Sequence, residues 1–133
     1  MPIVGYGQML KALIVEDNAA FRQSLREMLS ERFPAMVVDE AGNGEEAMQK
    51  VEASPPNLVF MDIKLPDENG LQVTRKIKAG YSQIRVIILT SYDLPEYREA
   101  AGNYGADYFL AKGSASREEI VALVDGIHSQ LDL

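Results

Sequence analysis

The sequence predicts an α/β fold: one doubly wound sandwich, a parallel five-stranded sheet covered by helices on both faces. Three observations predict it. Short apolar runs alternate with stretches of helical periodicity five times along the chain, a pattern that demands parallel crossovers. The central runs, Leu58–Met61 and Val86–Leu89, are continuously apolar, as strands buried on both faces must be. Polar and charged groups gather just after several of these runs, where open α/β sheets bind their ligands.

The elements follow in order. Leu10–Val15 is the first strand. Asn18 is placed to cap a helix whose Phe21, Leu25, Met28 and Leu29 share one face. A second strand begins over Ala35–Val38. Asn43, with Glu46 three residues on, marks the second helix, which must end before Pro55-Pro56. Leu58–Met61 is the third strand, and Gly70–Ala79 a helix with Val73 and Ile77 inward. Val86–Leu89 is the fourth strand. Asp93-Leu94-Pro95-Glu96 opens a fourth helix, weakened by Gly102 in its interior. Tyr108–Ala111 is the fifth strand. Ser116 and Glu119 form a capping box for a last helix striped by Ile120, Leu123, Val124, Ile127 and Leu131. The expected strand order is 2-1-3-4-5, as in flavodoxin-like sheets.

Composition bounds the function. At 133 residues the chain is the size of one ordinary domain; residues 1–9 read as an N-terminal extension and 10–133 as the domain. Hydrophobic residues at 47% and charged ones at 25% fit a soluble globular protein. With no cysteine, disulfides and thiolate metal sites are excluded, which suits a reducing, cytoplasmic setting. No apolar run is long enough to span a membrane, and the N-terminus lacks the pattern of a signal peptide. A formal charge of −7 argues against direct nucleic-acid binding by this chain.

The strand ends carry the chemistry. Strand one ends in Glu16-Asp17, strand three in Asp62, strand four in Thr90-Ser91 and strand five in Lys112; on strand two, Asp39-Glu40 reads only as an acidic edge. Taken singly, each residue has a plain structural reading: a helix cap for Asp17, turn chemistry for Asp62, a packed hydroxyl for Thr90, a surface charge for Lys112. Parallel strands would bring them to one rim. Three crowded carboxylates repel unless a cation intervenes, and oxygen ligands suit a hard divalent ion such as Mg²⁺. Such a crevice is equipped for phosphoryl transfer. Asp62 can attack phosphorus to give an acyl phosphate, with Mg²⁺ and Lys112 neutralising the moving oxygens and Thr90 hydrogen-bonding one of them.

The segments LIVEDN, VFMDIKLPDENG, VIILTSYD and GADYFLAKG, in this order and spacing, resemble the response regulator receiver domain of two-component signalling, from about Leu10 to Leu131. The resemblance implies Asp62 as phosphoacceptor, Asp17 as a direct Mg²⁺ ligand, Glu16 as a ligand through water and the backbone carbonyl of Lys64 as a further ligand. It implies a sensor histidine kinase or phosphotransfer protein as donor. Thr90 and Phe109 would be the switch pair. Lys64 and Tyr92, two residues beyond Asp62 and Thr90, would flank the approach of hydrolytic water and lengthen the phosphoryl lifetime. Two features depart from the family's pattern: Gly113 follows Lys112 where most receivers have proline, and Phe109 stands where Tyr is commoner, with Tyr108 on the opposite side of the strand. The Lys-Gly ending is similar to receivers joined to LuxR- or FixJ-type transcription factors, which implies a C-terminal DNA-binding output domain outside this chain and is compatible with a homodimer. His128, the only histidine, suits a structural place near a helix C-terminus.

Three other functions compete. A haloacid-dehalogenase-like phosphatase needs a second Asp where Lys64 stands. An FMN carrier would be repelled by Glu16-Asp17 at its phosphate loop. A receiver-like interaction module acting without phosphorylation would be expected to have lost Asp62, Lys112 or the acid pair, and it is the second reading.

Overall fold

The structure is a computed structural model and describes residues 10–131; the expected extension over 1–9 lies outside the described residues. Five strands alternate with five helices: β1 (Lys11–Val15), α1 (Ala19–Arg32), β2 (Val37–Ala41), α2 (Gly44–Ala53), β3 (Leu58–Met61), α3 (Gly70–Gly80), β4 (Arg85–Thr90), α4 (Pro95–Asn103), β5 (Tyr108–Ala111) and α5 (Arg117–Leu131). The strands are parallel throughout, in the order β2-β1-β3-β4-β5. This is the expected topology.

Successive strand residues point to opposite faces, so each strand feeds two cores. Ile14, Phe60 and Ile87 face α1 and α5, packing on Leu29, Val124 and Ile127. Val15, Met61 and Ile88 face the other way, against Val51 of α2, Ile77 of α3 and Ala101 of α4. Each large side chain removed wholly from water contributes about 1.5–3 kcal/mol. Among the described residues no helix is long and apolar enough to cross a membrane.

Local chemistry starts the helices. The Asn18 side chain accepts from the Phe21 N–H at 3.0 Å, and Asn43 accepts from the Glu46 N–H at 2.8 Å. Glu46 returns its carboxylate to the Gly42 N–H, not to Asn43, at 2.8 Å. The Ser116–Glu119 box closes both ways, at 3.1 and 2.9 Å. Helix α3 begins behind Asn69, which accepts from the Leu71 N–H at 2.7 Å. Its first residue has to be glycine: a Cβ on Gly70 would fall 1.9 Å from the carbonyl oxygen of Asp62.

Two expectations need correction. Strand β2 runs over Val37–Ala41 and not from Ala35, so Asp39 and Glu40 lie inside it. Nor are they an idle acidic edge. Glu40 reaches over one face to Arg22 at 2.9 Å and to Arg26, while Asp39 reaches over the other to Lys50 at 3.1 Å. An edge strand tolerates this because its charges end in water and pair with the helices above and below. Gly102 is also not in a helix interior. Helix α4 stops at Asn103, one residue later, and Gly105 at φ 99° then turns the chain into β5.

Candidate functional site

Three of the site residues stand one position past a strand and are still held by the neighbouring strand's backbone. The Glu16 N–H donates to Ala41 O at 3.0 Å, that of Asp62 to Val15 O at 3.0 Å, and that of Lys112 to Thr90 O at 2.8 Å. Extending the parallel ladder by one residue is what aims their side chains into a common rim. Glu16, Asp17 and Asp62 each place a carboxylate oxygen within 4.8 Å of the other two. Glu16 and Asp62 are buried and Asp17 is exposed.

Lys112 enters this cluster. Its ammonium donates to Glu16 Oε1 at 2.7 Å and lies 3.3 Å from Asp62 Oδ2. The remaining carboxylate oxygens are also engaged: Glu16 Oε2 accepts from the Asn18 N–H at 3.0 Å, and Asp62 Oδ1 from the Ile63 N–H at 2.7 Å. Burial pushes the Glu16 carboxyl above its ordinary pKa and outweighs the Lys112 and Asn18 hydrogen bonds, with the nearby Asp62 charge adding to the rise. Burial works against the Lys112 ammonium, but the Glu16 hydrogen bond and the Asp62 and Glu16 charges outweigh it and raise its pKa. Three carboxylates against one ammonium leave an excess of two negative charges when all are ionised. A hard divalent cation would remove that excess and reverse the pressure on Glu16. The donor set is all oxygen, so the residues present fit such an ion.

The surrounding residues are placed as follows. Thr90 ends β4, is fully buried, and its hydroxyl accepts from the Tyr92 N–H at 3.3 Å. Lys64 lies in the β3–α3 turn, which is closed by a bridge to Asn69. Its ammonium is 5.8 Å from the centre of the exposed Tyr92 ring, so the two residues meet beside the site. Phe109 is half-buried on the α2–α3–α4 side of the sheet and Tyr108 packs on the other side. The imidazole of His128 packs beside Leu10, Phe33 and Met36, and its Nε2 is buried without a hydrogen-bond partner.

Sequence reasoning missed three contributors. The exposed Asp67, in the loop after Asp62, accepts from the N–H groups of Gly44 and Glu45, each at 2.9 Å, and so ties that loop to the start of α2. Those two bonds hold its carboxyl below the ordinary range. Arg98 lies over the Phe109 ring at 4.6 Å and is held by Asp93 at 2.7 Å. Phe21 lies under the Lys112 ammonium at 4.3 Å. In the sequence these were a turn acid, a helix cation and one more apolar residue on a helix face. Their partners lie too far along the chain for any periodicity to reveal.

Comparison with known proteins identifies the family and the fold. A family model described as the response regulator receiver domain matches residues 12–125. The transcriptional activator protein ExaE of Pseudomonas putida is 38% identical over 77% of this chain and 48% of its own length. The DNA-binding transcriptional activator DevR/DosR of Mycobacterium tuberculosis is 33% identical over 88% of this chain and 54% of its own. The chain thus spans about half the length of these curated relatives. Among solved structures, a LuxR-family DNA-binding response regulator from Staphylococcus aureus superposes with a TM-score of 0.82 at 29% identity, covering 90% of this chain and 98% of that one. A CheY-like receiver domain protein from Methanospirillum hungatei superposes with a TM-score of 0.86 at 26% identity, covering 93% and 97%. The fold, the acidic rim and these matches agree, and the chain belongs to the family of response regulator receiver domains.

Proposed function

We propose that this domain is a phosphorylation switch that takes a phosphoryl group onto Asp62 from a phosphohistidine of a sensor kinase or phosphotransfer protein. One observation carries the reading. The Lys112 ammonium is shared between Glu16 and Asp62 in a rim where Glu16, Asp17 and Asp62 converge. An oxygen of the Asp62 carboxylate forms a bond to phosphorus as the phosphorus–nitrogen bond to imidazole breaks. The imidazole leaves with the electron pair of that bond and is protonated. Mg²⁺, held by Glu16, Asp17, Asp62 and the Lys64 carbonyl, would supply charge neutralisation at the phosphoryl oxygens. Lys112 exchanges its carboxylate partners for a phosphoryl oxygen, and the Thr90 hydroxyl donates to another. Thr90 and Phe109 then carry the change to the outer face of α4, β5 and α5. The naming of these relatives as transcriptional activators supports a DNA-binding output domain as the recipient. The second reading is an interaction module that works unphosphorylated.

The test is chemical. With Mg²⁺ and acetyl phosphate the protein gains one acid-stable, base-labile phosphoryl group, read by intact mass. Asp62→Asn gains none, and Asp17→Asn needs far more Mg²⁺ to label. Equal labelling of Asp62→Asn would overturn the assignment.

A further inference from the structure

Lys112 must bring its ammonium to one place, yet little in its backbone holds it there. Four rotatable bonds separate Nζ from the chain, and lysine gives up much rotamer freedom when fixed. Gly113 follows it, and a Cβ built there meets nothing within 4 Å. The turn is therefore closed by backbone bonds alone, from the Ser114 and Ala115 N–H groups to Ala111 O at 3.2 and 2.9 Å. Behind the ammonium a groove opens between α1 and α5, and the exposed carboxylates of Glu27 and Glu31 line it. Glu27 there accepts from Gln23 at 3.1 Å and Glu31 lies 4.0 Å from Arg117, so the groove is a polar space into which a free ammonium could swing.

Phe21 stands at this boundary. It is half-buried at the head of α1, lines the same groove, and its ring centre is 4.3 Å from Lys112 Nζ. The side chain of Lys112 is only 16% exposed, so the ammonium over that ring is largely desolvated, the condition under which attraction between a cation and an aromatic face is strongest. A ring face also has no fixed acceptor direction. It can hold the ammonium back from the groove while the ammonium changes oxygen partners, which a carboxylate in its place would resist.

We propose that Phe21 is a positioning residue for Lys112: its ring forms the third wall of the ammonium's site, keeping Nζ on Glu16 and Asp62 and out of the α1–α5 groove. This deepens the reading of Asp62 as phosphoacceptor and, for its kinetic consequence, rests on it.

The test compares Phe21→Leu, which keeps apolar packing and removes the ring, with Phe21→Tyr, which keeps the ring. The first readout is metal-free. In the parent and in Phe21→Tyr the ε-methylene protons of Lys112 give Overhauser contacts to the γ-methylene protons of Glu16, whose carboxylate the ammonium meets at 2.7 Å; in Phe21→Leu these contacts weaken or vanish. The second is the rate of labelling from acetyl phosphate. Phe21→Leu should label about 3- to 10-fold more slowly, the range an ammonium–ring contact supports, with Phe21→Tyr at the parent rate. Stiffening the turn by Gly113→Ala in the Phe21→Leu background should recover part of the loss. Lys112–Glu16 Overhauser contacts in Phe21→Leu that match the parent's overturn the proposal, as does a parent rate in Phe21→Leu. A parent that takes no label on Asp62 overturns the phosphorylation reading instead, and the Lys112–Glu16 contacts then decide the role of Phe21 by themselves.

Discussion

Asp62 spends its two carboxylate oxygens differently. Oδ1 is fixed by the Ile63 N–H at 2.7 Å, whereas Oδ2 faces Lys112 across a longer 3.3 Å. The second oxygen is the easier one to free for attack. Water hydrolysing the proposed acyl phosphate would have to approach in line with the bond it breaks. Lys64 and Tyr92, proposed to flank that approach, stand with ammonium and ring centre 5.8 Å apart, and Tyr97 meets Tyr92 edge-on at 5.8 Å between centroids. At that separation the pair would be a loose gate, not a seal. Lys64→Asn combined with Tyr92→Ala should shorten the phosphoryl lifetime by about tenfold, the equivalent of about 1.4 kcal/mol in barrier. Following the loss of label after the phosphodonor is removed measures it. An unchanged decay would show that crowding by these two residues does not set the rate.

Among the helices, α4 is the least secured. It is nine residues long, starts behind Leu94 with no side-chain cap, and buries only Ala101. Its hold on the sheet includes Arg98, which covers the Phe109 ring while Asp93 fixes the guanidinium. A half-buried Phe109 is thereby covered by a charged lid drawn from the element that would have to move. A buried Phe109 state depends on packing, since Phe has no hydroxyl to bond. Moving a two-state equilibrium from mostly off to mostly on takes about 5.5 kcal/mol, and a few charge-assisted hydrogen bonds at about 1.5–3 kcal/mol each to phosphoryl oxygens cover that need. Thr90→Ala should still accept phosphate but shift α4 weakly, and Phe109→Ala should uncouple α4 altogether. Amide spectra with and without a beryllofluoride mimic of the phosphoryl group report this directly. Full α4 shifts in Thr90→Ala would rule out this route.

For the molecule as a whole, the acidic balance makes stability depend on pH in a definite sense. Asp39 and Glu40 are partly buried, which alone would raise them, but backbone and Lys50 bonds for the first and the Arg26 and Arg22 bonds for the second hold both below their ordinary values. Asp67 is lowered by the Gly44 and Glu45 N–H groups. A carboxylate held low in the folded state stabilises the fold at every pH above its unfolded value, and that contribution is lost as pH falls through the folded value. The stability these three carboxylates contribute should therefore be steady near neutrality and decline below the ordinary carboxylate values of 3.8 to 4.5, opposite in sense to the raised Glu16. Glu40→Gln should cost roughly 1 kcal/mol at pH 7, the upper range for partly exposed pairs, and little at pH 3. Urea midpoints at both pH values test this; an equal loss at both would mean that Glu40 acts by packing and not by charge.

How much of this was legible in the sequence depended on the range of the interaction. Strand order, the helix caps at Asn18, Asn43 and Ser116, and the arrival of Glu16, Asp17, Asp62 and Lys112 at one rim followed from period, capping chemistry and the right-handed crossover rule, and the structure has each of them. Local rules reached less far at the ends of β2 and α4. There an edge strand's charges are satisfied by helices on both faces, and Gly102 falls in the last turn of a helix that Gly105 then turns away from. The contacts that aim and restrain the chemistry belong to tertiary structure alone: Phe21 under Lys112, Arg98 over Phe109, Asp67 on the start of α2. Each joins a side chain to a group on another element, whose place is fixed only when the helices have packed. Periodicity decides which face of an element turns inward, but the group it meets there is set by packing.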